Sequence, residues 1–430
     1  MFGRALLRFA LTLPLGALAV AGCGGGDGQP EPQLRSRQLT IYSSLPQRGP
    51  LQKVAADVQA AERLALDQDG GRIGRYRVRL VALDASTRDA GRSDPAQISQ
   101  NARRAAKSVR TVAYIGELAT GSSAISIPLL NEAGILQVSP LDTAMAYTTR
   151  SLAVAGSPER YYPKLRDVGR TFARVVPSDR SQVDALLTDM RRNGVRRLAL
   201  LTDEDPSGRA LATNLRAKAR GDGIAVVARE EIDVHATRHD DAVGRIREAA
   251  PDAALDATGA RPGAARLWRE LHAADPLLAL YAPASLADPA FVAGLGPAAT
   301  VAHVTRPVYD ALAGDGPAVR RFIHDFRRRY GRVPAAEARY GYEALRGVLA
   351  AIRRAEADAD GPITRRAVVR AYFETAVRDS VLGRYAIKPD GDTTLARWGA
   401  FRAVEGTAGE AGGRLRSAGT LSGGRSSGER

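Results

Sequence analysis

Two successive series of short apolar strands, each alternating with helical segments, constrain the fold of this chain most strongly. In the first series, the strand pattern LTIYSSLP (39–46) precedes apolar residues at helical spacing from Leu51 to Leu64, and YRVRLVALD (76–84) alternates like a buried strand. The rhythm restarts with a predicted helix over 182–192 and the strand RRLALLTDE. Strands that alternate with helices predict parallel sheets covered on both faces. We therefore expect two doubly wound α/β lobes, with any ligand bound on the loops at the carboxyl ends of the strands.

The amino-terminal residues have the layout of a secretory signal. Two arginines precede an uncharged apolar run over 11–20, which is shorter than the roughly 20 residues of a transmembrane helix. The residues VAGC (20–23) follow and resemble the bacterial lipobox, and Cys23 is the only cysteine in the sequence. We expect residues 1–22 to be a lipoprotein signal peptide and Cys23 to carry the lipid that anchors the protein outside the cytoplasm. An ordinary signal followed by an incidental cysteine is the alternative.

Both ends of the mature chain are poor in residues that a core needs. Residues 23–37 are rich in glycine, proline and charge, and residues 406–430 are rich in glycine, serine and arginine. Such compositions favour solvated, unstructured chain. We predict a flexible tether over 23–37 and a disordered tail over 406–430.

The net charge of +15 and the pI near 10.3 raise the question of nucleic-acid binding. The basic residues are nearly all arginines and are spread along the chain, and aromatic residues make up only 5% of it. A basic stripe interleaved with aromatic residues is therefore missing from the sequence. We expect no nucleic-acid partner, and some attraction to anionic envelope polymers or lipid head groups.

One histidine cluster has to be considered as a metal site. His235 and His239 lie four residues apart in HATRHDD, followed by Asp240 and Asp241. A third ligand at a fixed distance is lacking, and either aspartate is a natural N-cap for the helix that follows. The other histidines have no nucleophile motif nearby, and GELATGSS lacks the lysine of a phosphate-binding loop. We predict no metal, no cofactor and no enzymatic activity.

Five motifs, in the right order, are similar to those of type I periplasmic binding proteins, and most of all to the leucine/isoleucine/valine-binding branch. They are AERLALDQDGGRIGRYRVRLVALDAST (61–87), YIGELATGSSAISIPLLNEAGILQVSP (114–140), RTFARVVPSD (170–179), YGYEAL (340–345) and LGRYAIKPDGD (382–392). The resemblance implies a clamshell in which three strands cross between the lobes and a small ligand is trapped in the cleft.

The resemblance also implies how the chain divides between the lobes. Lobe 1 takes residues 38–176 plus 306–380, and lobe 2 takes residues 177–305 plus 381–405. The long segment 148–170 is interpreted as a surface excursion before the first crossing.

The loop ELATGSS between a strand and a helix is a candidate anion site. Free N–H groups, the positive end of the helix dipole and the side chains of Thr120 and Ser122 meet there, with Gly121 between them. Simple N-capping by a serine of this loop is compatible with ligand binding by its neighbours. The resemblance implies that Thr120, Thr143 and the backbone of Leu141 hold the α-carboxylate of the ligand.

The opposite half of the predicted cleft departs from the family pattern. Asp179 matches a position that faces the ligand's ammonium group, although a helix cap explains it equally well. Ser207 and Ala260 replace family tyrosines, and Ala284 replaces the acidic residue expected to pair with the ammonium. Because an unpaired buried charge is costly, branched-chain amino-acid specificity does not follow. Arg261 is a further candidate ligand contact, with a solvated loop arginine as the alternative.

The sequence therefore predicts a lipid-anchored solute-binding protein. We expect it to capture a small carboxylate-bearing ligand, such as an amino acid or a related compound, for an ABC importer whose permease is its partner. The alternative is a ligand-sensing or interaction lipoprotein on the same clamshell. A neighbouring permease and ATPase gene would favour transport, whereas a kinase or cyclase gene would favour sensing.

Overall fold

Two α/β sheets organise the chain, of which the computed structural model describes residues 33–87, 93–233, 235–259, 263–308, 316–375, 377–404 and 414–422. Helices cover the two sheets, as the alternating sequence pattern predicts. None of the helices in the described ranges is both long enough and apolar enough to cross a membrane.

The first sheet has the strand order β2-β3-β1-β4-β5-β6 and is parallel except for the short edge strand β2. Its strands are β1 (Gln38–Leu45), β2 (Arg72–Ile73), β3 (Tyr76–Asp84), β4 (Thr111–Ile115), β5 (Leu136–Ser139) and β6 (Phe172–Arg174). Successive side chains of β1 face opposite sides of the sheet. Ile41 therefore lies in one apolar cluster and Tyr42 in another, so both faces of the sheet are buried.

Helices that are far apart in sequence cover the first sheet. They are α1 (Gln52–Asp69), α2 (Pro95–Lys107), α3 (Ser123–Glu132), the short α4 (Leu165–Val168), and, much later in the chain, α10 (Pro317–Tyr330), α11 (Ala338–Ala357) and α12 (Arg365–Phe373). On one face α1 packs against α11, and α11 and α12 contact β4 and β5. On the other face α2 packs against α3.

The second sheet has the strand order β15-β14-β11-β10-β9-β7-β8. Its strands are β7 (Arg197–Thr202), β8 (Ala225–Glu231), β9 (Ala253–Asp256), β10 (Ala279–Ala282), β11 (Ala302–Arg306), β14 (Arg397–Val404) and β15 (Arg414–Ser422). Strands β7 to β11 are parallel, whereas β14 and β15 are antiparallel to their neighbours. Its helices are α5 (Asp179–Arg192), α6 (Pro206–Ala219), α7 (Asp240–Glu248), α8 (Ala264–Ala274) and α9 (Pro289–Gly294).

The described chain passes between the two sheets at three connections. It leaves the first sheet after β6, returns after β11 to form the helices that cover the first sheet, and crosses again after the hairpin of β12 (Arg378–Ser380) and β13 (Gly383–Tyr385). A buried ion pair ties the first connection to the third, because Arg174 Nε lies 2.9 Å from Asp392 Oδ1. These connections match the predicted two-lobed architecture, while the residue boundaries of the lobes remain a prediction.

The prediction of a disordered tail over 406–430 is wrong for its described part. Residues Arg414–Ser422 form β15, which pairs with β14 along its whole length. The backbone hydrogen bonds of a sheet do not require apolar side chains, so a segment of polar composition can still form a strand. Leu421 supplies the apolar anchor, since it is buried beside Trp398 and Ala185.

Two other segments are more ordered than the sequence suggested. The end of the predicted tether is fixed to the body, because Leu34 is buried and its N–H donates to the carbonyl of Ile363 at 2.8 Å. The segment 148–170, predicted as a surface excursion, buries Tyr161 and Tyr162 in the apolar cluster that contains Phe172. In this segment the core contacts come from Val154, Tyr161 and Tyr162, which follow no periodic pattern.

Candidate functional site

A cleft of about 320 Å³ lies between the two lobes. Its walls come from loops that follow the parallel strands of both sheets. Thr120 follows β4, Thr143 follows β5, Asp205 follows β7, Ala284 follows β10 and Arg306 ends β11. The carboxyl ends of parallel strands are where doubly wound folds bind their ligands, and a volume near 300 Å³ suits a small molecule.

The cleft combines apolar walls with a few polar groups. Leu51, Val54, Leu118 and Leu141 form the apolar part contributed by lobe 1, together with Pro289 from lobe 2. This composition is typical of small-molecule sites, in which apolar contacts provide affinity and a few polar groups fix orientation.

The predicted anion site at the start of α3 is filled by the chain's own carboxylate. Asp142, which is fully buried, accepts hydrogen bonds from the N–H of Gly121 at 2.9 Å and from the N–H of Ser123 at 2.8 Å. The N–H of Ser122 donates to the carbonyl of Ala119. Ser122 lines the cleft, but these backbone donors are already used inside the protein.

Thr120 and Thr143 meet at the cleft, as the sequence predicts. Their Oγ1 atoms lie 2.8 Å apart, and both residues line the cavity with Leu141. Thr143 lies in the loop after β5. The two hydroxyls have two protons between them, and one is used in their mutual hydrogen bond. At most one proton is therefore left for a ligand.

Asp179 lies behind the hydroxyl pair rather than on the cavity wall. It is 3% exposed and occupies the first turn of α5, which begins three residues earlier than predicted. Its N–H donates to the carbonyl of Thr143 at 2.8 Å. Burial raises the pKa of Asp179 to about 7, and the neighbouring Thr143 hydroxyl opposes that rise.

The Gln182 carboxamide connects Asp179 to β11 and to the loop after β10. Its nitrogen faces Asp179 Oδ1 at 2.9 Å, and its oxygen accepts from the Thr305 hydroxyl and from the N–H of Ala284, both at 2.7 Å. Ala284 lines the cleft and offers a methyl group where the family pattern has an acid. Ala260 and Arg261 lie outside the described residues, next to Gly259, which does line the cleft.

Gly121 and Ser207 mark a close approach of the two lobes. A Cβ atom on residue 121 would lie 3.0 Å from Ser207 Oγ, and Gly121 has a φ of 93°, which disfavours any other residue. Neither residue belongs to the cavity wall. Their geometry is that of a contact between the two lobes beside the cleft.

Asp205 was missed by the sequence analysis and lines the cavity two residues from the predicted Ser207. It is the N-cap of α6, since its carboxylate accepts from the N–H of Gly208 at 2.8 Å. Burial is the largest cause that raises its pKa, and the nearby Asp203 and Asp142 add to the rise. An aspartate before a proline predicts the N-cap of a helix, but it does not predict that the same residue lines a ligand cleft.

Arg306 and Glu337 form an ion pair in the cavity wall that the sequence analysis also missed. Arg306 ends β11, and its guanidinium carbon lies 5.7 Å from the centre of the Phe401 ring. Burial lowers the pKa of Arg306 to about 10, so the side chain is still a cation at neutral pH. Glu337 lies immediately before α11 and is far from β11 in the sequence. Only the tertiary fold brings the two side chains together.

One member of the histidine cluster, His239, has a structural role. His239 precedes α7, and its Nδ1 lies 2.9 Å from Glu270 Oε2. Asp240 and Asp241 occupy the first turn of α7. Within the described ranges, no three histidine, cysteine or acidic side chains are grouped so that they could hold a metal ion.

Comparisons with solved structures identify the same architecture. A leucine-binding protein from Thermotoga maritima is 22% identical, with a TM-score of 0.71, over 89% of this chain and 99% of that one. A branched-chain amino acid transporter substrate-binding protein from Streptococcus pneumoniae, in complex with isoleucine, is 15% identical, with a TM-score of 0.65, over 88% and 99%. A solute-binding protein of an ABC transporter from R. palustris, in complex with 4-hydroxybenzoate, is 14% identical, with a TM-score of 0.70, over 90% and 97%. At these identities the likeness establishes the fold.

The predicted clamshell of type I periplasmic binding proteins is thereby confirmed. No curated protein matches the chain significantly. The sequence profile of a family described as periplasmic binding protein matches residues 40–408, which is most of the chain. The chain belongs to the periplasmic binding protein family.

Proposed function

We propose that this protein is an extracytoplasmic solute-binding lipoprotein, anchored through Cys23, that captures a small carboxylate-bearing ligand for an ABC importer. The observation that carries the proposal is the cleft between the two lobes, which has the size of a small-molecule site and contains the guanidinium of Arg306. Glu337 engages one terminal nitrogen of this guanidinium, and the N–H groups that Glu337 does not use can donate to an anionic ligand.

The comparisons support this class of ligand. Isoleucine and 4-hydroxybenzoate, bound by the proteins from Streptococcus pneumoniae and R. palustris, differ in shape, and both have a carboxylate. The same architecture thus accommodates carboxylates with and without an amino group. The alanine at position 284 favours acids without one, since it offers no charge to an ammonium ion.

Native mass spectrometry of the soluble body, residues 33–430, tests the proposal. We expect a co-purified small molecule, or binding of at least one member of a panel of leucine, its 2-oxo analogue, benzoate and 4-hydroxybenzoate in calorimetric titrations. A body that is folded by circular dichroism, carries no small molecule and binds none of the panel would contradict the proposed function. Gene order around a permease and an ATPase would separately test the link to transport.

A further inference from the structure

We propose that a cluster of exposed arginines on the first sheet binds the anionic head groups of the membrane. The inference rests on the proposed function through the lipid anchor at Cys23, and it is independent of the solute. The cluster, called the arginine face below, lies on β2, β3, α2 and the residue before β4. Its members are Arg72, Arg77, Arg79, Arg104 and Arg110.

Strand pairing places three of these arginines on one side of the sheet. Arg72 of β2 is the register partner of Arg77 of β3, and Arg79 follows two residues later. Register partners and alternate residues of a strand project from the same face of a sheet, so the three side chains are neighbours. Tyr76 and Val78, which alternate with them, are buried on the other face.

Two further arginines extend the face across β1. Arg104 of α2 lies over the Tyr42 ring, with its guanidinium carbon 5.9 Å from the ring centre. Arg110 donates to the carboxamide oxygen of Gln38 at 3.2 Å. Gln38 is the register partner of Arg77, and Tyr42 is four positions further along β1, so both lie on the side of the sheet from which Arg77 projects.

The positive charge of the arginine face is not neutralised by acids of the protein. Within the described ranges, none of its five guanidinium groups forms an ion pair with a carboxylate. The acids near the β2–β3 turn belong to helices on the opposite face. Glu356 of α11 lies beside Gly74, and Asp69 of α1 pairs with Arg353 of α11. An anionic surface can therefore interact with all five arginines at once.

The chain that leads to the proposed anchor reaches the body beside this face. The N–H of Arg77 donates to the carbonyl of Arg37 at 2.8 Å, and the N–H of Leu34 donates to Ile363. Leu34 is eleven positions after Cys23, and eleven residues span at most about 40 Å when fully extended. A lipid on Cys23 thus keeps the arginine face close to a bilayer, which is the anionic surface that the anchor itself supplies.

The arginine face is separate from the ligand cleft. It occupies the amino-terminal half of β3 and the residue before β4, whereas the cleft is lined by loops after the carboxyl ends of the strands. None of the five arginines lines the cleft. Binding of this face to a membrane therefore uses no cleft residue, and substitutions in it should leave solute affinity unchanged.

Cosedimentation with vesicles tests the inference on the mature chain without lipid, residues 23–430 with Cys23→Ser. We expect binding to vesicles of equal parts phosphatidylcholine and phosphatidylglycerol, and none to phosphatidylcholine alone. Binding should be lost near 1 M salt, where the Debye length is about 3 Å. A basic residue close to an anionic membrane strengthens binding about fivefold. The variant Arg72→Gln/Arg77→Gln/Arg79→Gln should therefore bind roughly a hundredfold more weakly.

The matched control is Arg321→Gln/Arg327→Gln/Arg328→Gln. These residues are exposed, form no ion pair within the described ranges, and belong to α10, which packs against α1 on the opposite side of the sheet. Both variants remove three positive charges, so the comparison isolates the position of the charge. The control should lose less than about fivefold in affinity.

Two further variants separate charge from folding and from guanidinium geometry. Lysine at positions 72, 77 and 79 keeps the charge, so this variant should bind vesicles like the parent. Circular dichroism verifies that each variant is folded. If the triple glutamine variant does not fold, Arg77→Gln replaces it, with an expected loss of about fivefold.

Equal losses in the two triple glutamine variants would assign binding to net charge alone and overturn the inference, as would a parent that does not bind the anionic vesicles. Retention on immobilised heparin that depends on the arginine face, without binding to vesicles, would also overturn it, because the partner would then be an anionic polymer. None of these results affects the proposed function. Calorimetry with the solute panel tests solute capture separately, and detergent partitioning of the lipidated parent tests the anchor.

Discussion

Removing one partner of the buried ion pair between Arg174 and Asp392 should be strongly destabilising. Arg174 is fully buried on β6, and its guanidinium donates to the carbonyls of Asp142 at 3.0 Å and Ala144 at 2.9 Å, and to Thr148 Oγ1 at 3.0 Å. Its Nε faces Asp392, which is 4% exposed and belongs to the third connection between the lobes.

Arg174→Met removes the cation and leaves Asp392 buried without its charge partner. Breaking a buried pair in this way costs about 3–5 kcal/mol, mostly because of the uncompensated charge that remains. The three lost hydrogen bonds to backbone and hydroxyl groups are included in that range, since single hydrogen bonds to a charged group do not simply add. We expect the double variant Arg174→Met/Asp392→Asn to be less destabilised than the sum of the two single variants.

Equilibrium unfolding in urea measures the free energies of the four proteins in this cycle. Arg238→Met is the comparison variant, because Arg238 pairs with Asp240 on the surface, with exposures of 74% and 63%, and its loss should leave the free energy of unfolding nearly unchanged. A loss below about 1 kcal/mol for Arg174→Met, or strictly additive single variants, would refute the reasoning.

Three further predictions concern other parts of the chain. Burial raises the pKa of Glu62 to about 8, so the folded state favours the neutral carboxyl; this stabilisation is present below about pH 4.5 and is lost as the pH rises through 8. In urea unfolding from pH 5 to 8, Glu62→Gln should therefore gain stability relative to the parent by up to about 1.4 kcal/mol per pH unit. A difference that stays constant with pH would contradict this. Gly121→Ala should hinder closure of the lobes, because the added methyl group would meet Ser207. Small-angle scattering should then show a larger radius of gyration for the liganded variant than for the liganded parent. Equal radii would contradict this contact. Cys23→Ser should abolish partitioning into detergent without loss of the folded body, because no internal disulfide is possible, and unchanged partitioning would exclude the anchor.

The sequence predicts most of the architecture, because local patterns encode it. The strand over 76–84 is found at the predicted bounds, since its alternation and the glycines that precede it leave little freedom. The contact between Thr120 and Thr143 was also anticipated, because both follow neighbouring parallel strands. The strand β15 was not predicted, because backbone pairing between strands needs no apolar pattern.

The polar groups of the cleft were harder to predict. Arg306 is one arginine among many, and neither its neighbours nor its spacing distinguishes it. Arg306 ends a strand of the second sheet, and its partner Glu337, 31 positions away, precedes a helix that covers the first sheet, so the pair exists only after the second connection has formed. The capping of α3 by Asp142 is likewise a tertiary contact, and it reverses the interpretation of a loop that by itself resembles an anion site.

The late helices of the first sheet have a consequence for biosynthesis. One face of that sheet, with Ile41 and Val138 in its apolar cluster, is covered by α11 and α12, which the ribosome completes only after every parallel strand of the second sheet. Roughly 200 residues separate β6 from the end of α12, so at about 5–20 residues per second the part of this face over β4 and β5 lacks these two helices for about ten seconds or more. An amino-terminal fragment that ends after β6 therefore lacks two of the helices that cover its own sheet.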